Sequence, residues 1–351
     1  MNTLGRESPN TRLTMQSLGS HRCGAAAPVA LMGLVLVAVA CSETFDAGAS
    51  RSHGLLPVDE RNPIILVNDN ARDNWQGEYA MLLANGGGPR LVGIVVDQTS
   101  PAPWPDLDTN VTGWNELVKA ARDSGMQNIP DPTPSVGAPL VRPANGDIDS
   151  TQKNDSKGAH LIVDMSKQLS LPYRPLVVAT GVPLTDVADA YLIDPTVVDR
   201  VVVVSSLGAA TASGGNMGSP CGELDPWADT IVAERFRYVQ VSAFYDQLTD
   251  VPDVSKLPSN KLGDWMKDKQ PGLWHWQPAS DQVAVAAVGI LGFATNVQRV
   301  SLASAADSGA AAVPDLTLSP KGPGWLVTEC AGTVATKRFW ELLLNPATFA
   351  H

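Results

Sequence analysis

Three aspartates lie where apolar runs give way to polar residues. "PIILVNDNARDN" (63–74) ends in Asp69 and Asp73, four residues apart, and "ASDQVAVAAVGIL" (279–291) opens an apolar helix with Asp281. Two carboxylates about 4 Å apart repel by roughly 4 kcal/mol at an effective dielectric near 20. If these three converge, protons, a Lys or Arg, or a cation must balance them. Oxygen donors with no His or Cys among them favour Ca²⁺ over zinc. The same side chains also cap helices and shape turns, so Asp281 reads equally well as an N-cap.

The elements that must position these residues follow an α/β rhythm. Strands are expected at 63–69, 90–97, 174–180 and 199–208. Helices are expected near 76–86, 111–126, 159–169 and 184–193. Runs such as "VVVV" and "LVV" suit strands covered on both faces. The expectation is one domain with a doubly wound, mainly parallel sheet flanked by helices. In such sheets ligands sit beyond the carboxyl ends of the strands, where Asp69, "ATGVPLTD" and "GGNMGSPCGELDPWAD" (214–229) fall. Residues 97–110 and 252–280 read as long irregular segments of the kind that form lids.

This series resembles the inosine–uridine nucleoside hydrolase family, over about residues 63–345 and in the family's order. The family opens with Asp-x-Asp-Pro-Gly-x-Asp-Asp after a strand. Here its second and third Asp fall on Asp69 and Asp73, with Val67 in the first place and Asn74 in the fourth. "TGVPLTDVA" is similar to its Thr-Gly-Pro-Leu-Thr-Asn-x-Ala, and "ASDQVAVAA" parallels its His-Asp-Pro-x-Ala with Ser280 in the His position. "VATKRFWELLL" fits its last helix. The resemblance implies a calcium ion held by Asp69, Asn74, the Thr180 carbonyl and Asp281. It also implies that Asp73 is the general base for a water, and that Asn216, Glu223 and Asp225 grip a ribose. The substrate so implied is a nucleoside or a related small glycoside. His275, five residues before Ser280, is a weak candidate for a replacement acid. Two readings stay open: a divergent N-ribohydrolase, or a sugar- or metal-binding protein that keeps the fold without turnover. Nine Trp, among them Trp104, Trp274 and Trp276, suit sugar stacking as well as core packing.

The whole chain narrows the partners. Its net charge is −11 and its Lys and Arg never cluster, which argues against nucleic acid. Residues 24–40 are uncharged and end in "AVA" before Cys41. Seventeen residues is short for a membrane span but suits a signal-peptide core, and "AVAC" resembles a bacterial lipobox. The expected division is a lipoprotein signal peptide at 1–40, a tether at 41–62 and the hydrolase-like domain at 63–351. The expected location is the bacterial cell envelope, lipid-anchored through Cys41 on the periplasmic face or outer membrane. Ser42 favours the outer membrane in a Gram-negative host. Cys221 and Cys330 are either a disulfide or two thiols, and the oligomeric state, a homo-oligomer included, stays open. Intact-mass analysis of the membrane fraction should show an acylated chain beginning at Cys41. An unacylated soluble chain beginning elsewhere rules the anchor out.

Overall fold

The computed structural model describes residues 55–72, 75–98, 105–206, 211–212, 225–242, 254–270, 281–303 and 315–350. The apolar segment 24–40, Cys41 and Cys221 lie outside these, so the anchor and the Cys221–Cys330 pairing do too. Among the described residues no helix is long and apolar enough to cross a membrane.

The strands are β1 (Ile64–Asn68), β2 (Leu91–Val96), β3 (Pro132–Pro134), β4 (Leu176–Thr180), β5 (Val201–Ser205), β6 (Thr211–Ala212), β7 (Arg237–Val241), β8 (Ala294–Ala303), β9 (Asp315–Leu318) and β10 (Gly324–Cys330). They form one sheet in the order β3-β2-β1-β4-β5-β7-β10-β8-β9-β6. From β3 through β10 every neighbouring pair is parallel, while β8 runs antiparallel to β10 and to β9. The antiparallel strands β8–β10 belong to a stretch for which the sequence suggested no strands. From β1 the chain first winds outward to β2 and β3, then returns to β4 on the other side. The winding therefore reverses between β1 and β4. A crevice opens at such a point beyond the strand ends.

The helices are α1 (Gln76–Asn85), α2 (Leu107–Asp123), α3 (Lys157–Leu169), α4 (Thr185–Ile193), α5 (Pro226–Arg235), α6 (Lys261–Lys269), α7 (Gln282–Gly289) and α8 (Gly332–Leu343). Two apolar layers cover the sheet. Ile64 and Leu66 join α1, α2, α6, α7 and α8, whereas Ile65 and Val67 join α3, α4 and α5. Strands buried on both faces cannot alternate polar and apolar residues, and β1, β4 and β5 are buried throughout. Two expectations need correction. Helix α2 begins inside the segment read as irregular, because Asp106 accepts a hydrogen bond from the Thr109 amide and caps the helix there. Helix α6 likewise interrupts 252–280, capped by Asn260 on the Gly263 amide.

The loop that follows β1 is held from beneath. Gln270, just past α6, donates to the Ala71 carbonyl at 3.2 Å, and Glu78 of α1 is wholly buried nearby. Burial pushes Glu78 from its ordinary 4.5 up to about 8, against a weaker pull from its own amide and Gln270. A raised carboxyl value leaves the native state intact at low pH. It then erodes stability as pH rises from about 4.5 to 8. Glu78→Gln removes a group that must be charged when the chain unfolds at pH 8. Its melting temperature should exceed that of wild type at pH 8, and the difference should vanish near pH 4. A pH-independent difference contradicts the assignment.

Candidate functional site

Asp281 occupies the N-cap position of α7, yet no side-chain cap bond forms and its backbone is helical (φ −64°, ψ −34°). Its carboxylate turns to the sheet instead. Oδ2 accepts from Asn68 Nδ2 at 3.1 Å, and its backbone carbonyl accepts from Gln76 Nε2 at 3.0 Å. Asn68 also donates to Gln76 Oε1. Two amide side chains, one ending β1 and one opening α1, thus hold both the carboxylate and the main chain of Asp281. Gly181, just past β4, makes the approach feasible: a Cβ there would stand 2.3 Å from Asp281 Cγ. The N-cap reading of Asp281 is therefore set aside.

Asp69 follows β1 and is 5% exposed. Its Oδ1 accepts from the Asn70 amide at 2.6 Å, while its carbonyl accepts from the indole of buried Trp114 at 2.9 Å. The backbone at Asp69 is thereby tied to α2. Since β1 and β4 are hydrogen-bonded neighbours, Asp69 and Asp281 both sit where the winding reverses. Thr180 ends β4, and its carbonyl accepts from the Ser206 amide at 3.0 Å and hydroxyl at 3.3 Å. Val67, in the place of the family's first Asp, is fully buried in the apolar layer under α3 and α4.

The donors here suit a hard cation. They are carboxylates and carbonyls only, and the buried Asn68 Oδ1 has no hydrogen-bond partner among the described residues. Among those residues no group of three or more His, Cys, Asp or Glu is arranged to hold an ion. Asp73 and Asn74, which the resemblance adds, lie outside them, as do Ser280, His275, Asn216 and Glu223. The third ribose candidate, Asp225, is described and 1% exposed. It caps α5 through the Ala228 amide at 3.0 Å, and its other oxygen accepts from the Leu140 amide at 2.9 Å and Thr185 Oγ1 at 2.7 Å. Its carboxylate is spent on the protein itself.

Two further acids reach the same strand ends. Asp97 follows β2, and Asp186 lies in the first turn of α4, both buried. Asp97 Oδ1 accepts from the Gln98 amide at 2.7 Å, and Asp186 Oδ1 accepts from Ser156 Oγ at 2.6 Å. The second oxygen of each is buried without a described partner. Burial first, then the Asp186 carboxylate and more weakly Asp69, push Asp97 well above the usual carboxylate range. Burial likewise lifts Asp186 to about 6, against the hydrogen bond from Ser156. Asp97 therefore keeps its proton well above the usual carboxylate range, while Asp186 gives up its own at about 6. Asp97 was visible in the sequence as the last residue of a strand, but nothing there paired it with Asp186.

No family model matches the sequence, and no curated protein does. Solved structures with this fold do exist. An inosine–guanosine nucleoside hydrolase superposes with a TM-score of 0.56 at 14% identity, over 80% of this chain and 98% of that one. The inosine–uridine preferring nucleoside hydrolase of Bacillus anthracis gives 0.52 at 12% identity, over 81% and 99%. A purine-preferring ribonucleoside hydrolase from Gardnerella vaginalis gives 0.51 at 14%, over 81% and 99%. The chain has the nucleoside hydrolase fold, along nearly the full length of each of these enzymes.

Proposed function

We propose that the chain is a divergent, calcium-dependent N-ribohydrolase, anchored in the bacterial envelope by lipid on Cys41, that cleaves the glycosidic bond of a nucleoside or related glycoside. One observation carries this reading. Asp281 leaves its helix cap unmade and brings its carboxylate to the strand ends at the reversal of winding, in a fold that nucleoside hydrolases share.

Asp69, Asp281, the Thr180 carbonyl and Asn74 would hold the ion. When bound, it offsets the repulsion of the carboxylates and makes a neighbouring water more acidic. Asp73 then takes the proton as that water attacks the anomeric carbon. As the bond to the base breaks, the ring gains oxocarbenium character, which nearby carboxylates favour. Asn216 and Glu223 grip the ribose, and Asp225, through its three hydrogen bonds, fixes the start of α5 just beyond them. Ser280 stands in the His position and cannot protonate a departing purine at neutral pH. Turnover should therefore depend on how well the base leaves unaided.

A second reading is a sugar- or nucleoside-binding lipoprotein without turnover. The engagement of the Thr180 carbonyl by Ser206 and of Asp225 by three protein donors favours it, because both groups would otherwise be offered to ion and ribose.

Calcium that binds the native state alone should raise the wild-type melting temperature. Asp69→Ala and Asp281→Ala should each abolish that rise, while Asp108→Ala, on the exposed side of α2, should keep it. A melting curve indifferent to both calcium and chelator removes the ion from the mechanism. For catalysis, p-nitrophenyl riboside, whose leaving group needs no acid, should be hydrolysed much faster than inosine. Asp73→Asn should lower that rate by about 10²–10⁴-fold and leave the calcium effect intact. Wild-type release of nitrophenol no faster than Asp73→Asn, with calcium saturating, ends the enzyme reading, and nucleoside binding under those conditions would establish the second one.

A further inference from the structure

Leu55, Leu291 and Tyr173 stand further into solvent than any other described large apolar side chain, at 90%, 89% and 80% exposure. All three line one groove of about 750 Å³. Its floor is made by Val58, Val288 and Ile290, each less than a tenth exposed. Gly292 turns the chain after α7 at φ +79°, where a Cβ would meet nothing within 4 Å among the described residues, and Leu291 projects beside it. Three such side chains gathered around one groove with an apolar floor, interleaved with the charged pairs at its rim, suit an interaction surface.

The groove lies at the opposite end of the sheet from the candidate site. Asn62 and Arg174, which line it, fall just before β1 and β4, whereas Asp69 and Thr180 fall at the far ends of those strands. It is also where the chain arrives from Cys41, since Leu55 is its first described residue. Leu55 lies 14 Cα–Cα steps from Cys41, a span of at most about 50 Å when extended. Its charges are close to balanced: Arg61 pairs with Asp59 and faces Glu60, and Arg174 lies near Asp59. The buried acids gather at the other end, so this face presents little negative field to an anionic lipid surface.

We propose that this groove seats on the bilayer once Cys41 is acylated, with Leu55, Tyr173 and Leu291 entering the boundary between headgroups and acyl chains. The strands' carboxyl ends, and the site with them, then face away from the membrane toward soluble substrate. The proposal rests on the anchor reading, not on catalysis.

The test places a fluorophore on Leu291→Cys, Tyr173→Cys or Val141→Cys in the acylated full chain, on vesicles of phosphatidylethanolamine and phosphatidylglycerol with brominated acyl chains. Val141 is 76% exposed, and its neighbour Leu140 is bound to Asp225 at the site end. After subtraction of the wild-type background, probes at 291 and 173 should lose most of their emission and the probe at 141 should keep it. Equal quenching at all three positions, or none at 291 and 173, overturns the proposal. A groove covered by a second copy or by residues 42–54 belongs to the latter outcome, because protein does not quench in this way. The intact mass of the same sample reports acylation separately, so a missing anchor and a missing seat are told apart.

Discussion

The contact between Asp281 and Gly181 is the one on which the candidate site depends. A carboxylate from the start of α7 can lie against the end of β4 only because no Cβ stands between them. Burying such a charge beside β1 is costly unless donors or a cation meet it. Asn68 and Gln76 meet it from one side through hydrogen bonds to carboxylate and backbone. Helix α7 itself is buried from Gln282 to Val288, so the core holds it and Asp281 arrives on a rigid element.

Aspartates at these strand ends meet three different fates, set by their surroundings. Asp189 is satisfied by the amides of Asn154, Asp155 and Ser156, and Asp225 by two amides and a hydroxyl. These two stitch loops to helices. Asp97 and Asp186 are buried with one oxygen each unanswered, and burial makes both lose their protons later than an ordinary carboxyl. Asp69 and Asp281, at the reversal of winding, hold carboxylates where a ligand would enter. One residue type thus serves as latch, as buried acid with a raised pKa and as candidate ion ligand.

The two ends of the sheet also divide labour. At the carboxyl ends the buried groups are polar and preorganised by helices on both faces. At the amino ends exposed Leu55, Tyr173 and Leu291 stand beside charges that nearly cancel. A parallel sheet makes that division natural, because every strand sends its following loop to the same edge.

The alternation of buried strands and helices was legible in the chain, since runs such as "IILV" and "VVVV" can be satisfied only by a sheet covered on both faces. Asp69 and Asp281 were legible too, as acids at strand and helix ends in a recurring order. The caps at Asp106 and Asn260 were also written there, yet α2 was expected to start only at 111 and α6 was missed, because Asp and Asn signal turns as readily as caps. What no single stretch could disclose was which acids face one another. Asn68 and Asp281 are 213 residues apart, Asp97 and Asp186 belong to elements with other strands between them in sequence, and Asp225 meets Leu140 across 85 residues. Residue type and local pattern decide what a side chain is able to do. Whether an aspartate caps a helix, keeps a proton or waits for a cation depends on the dielectric and the donors that folding brings to it, and those come from distant parts of the chain.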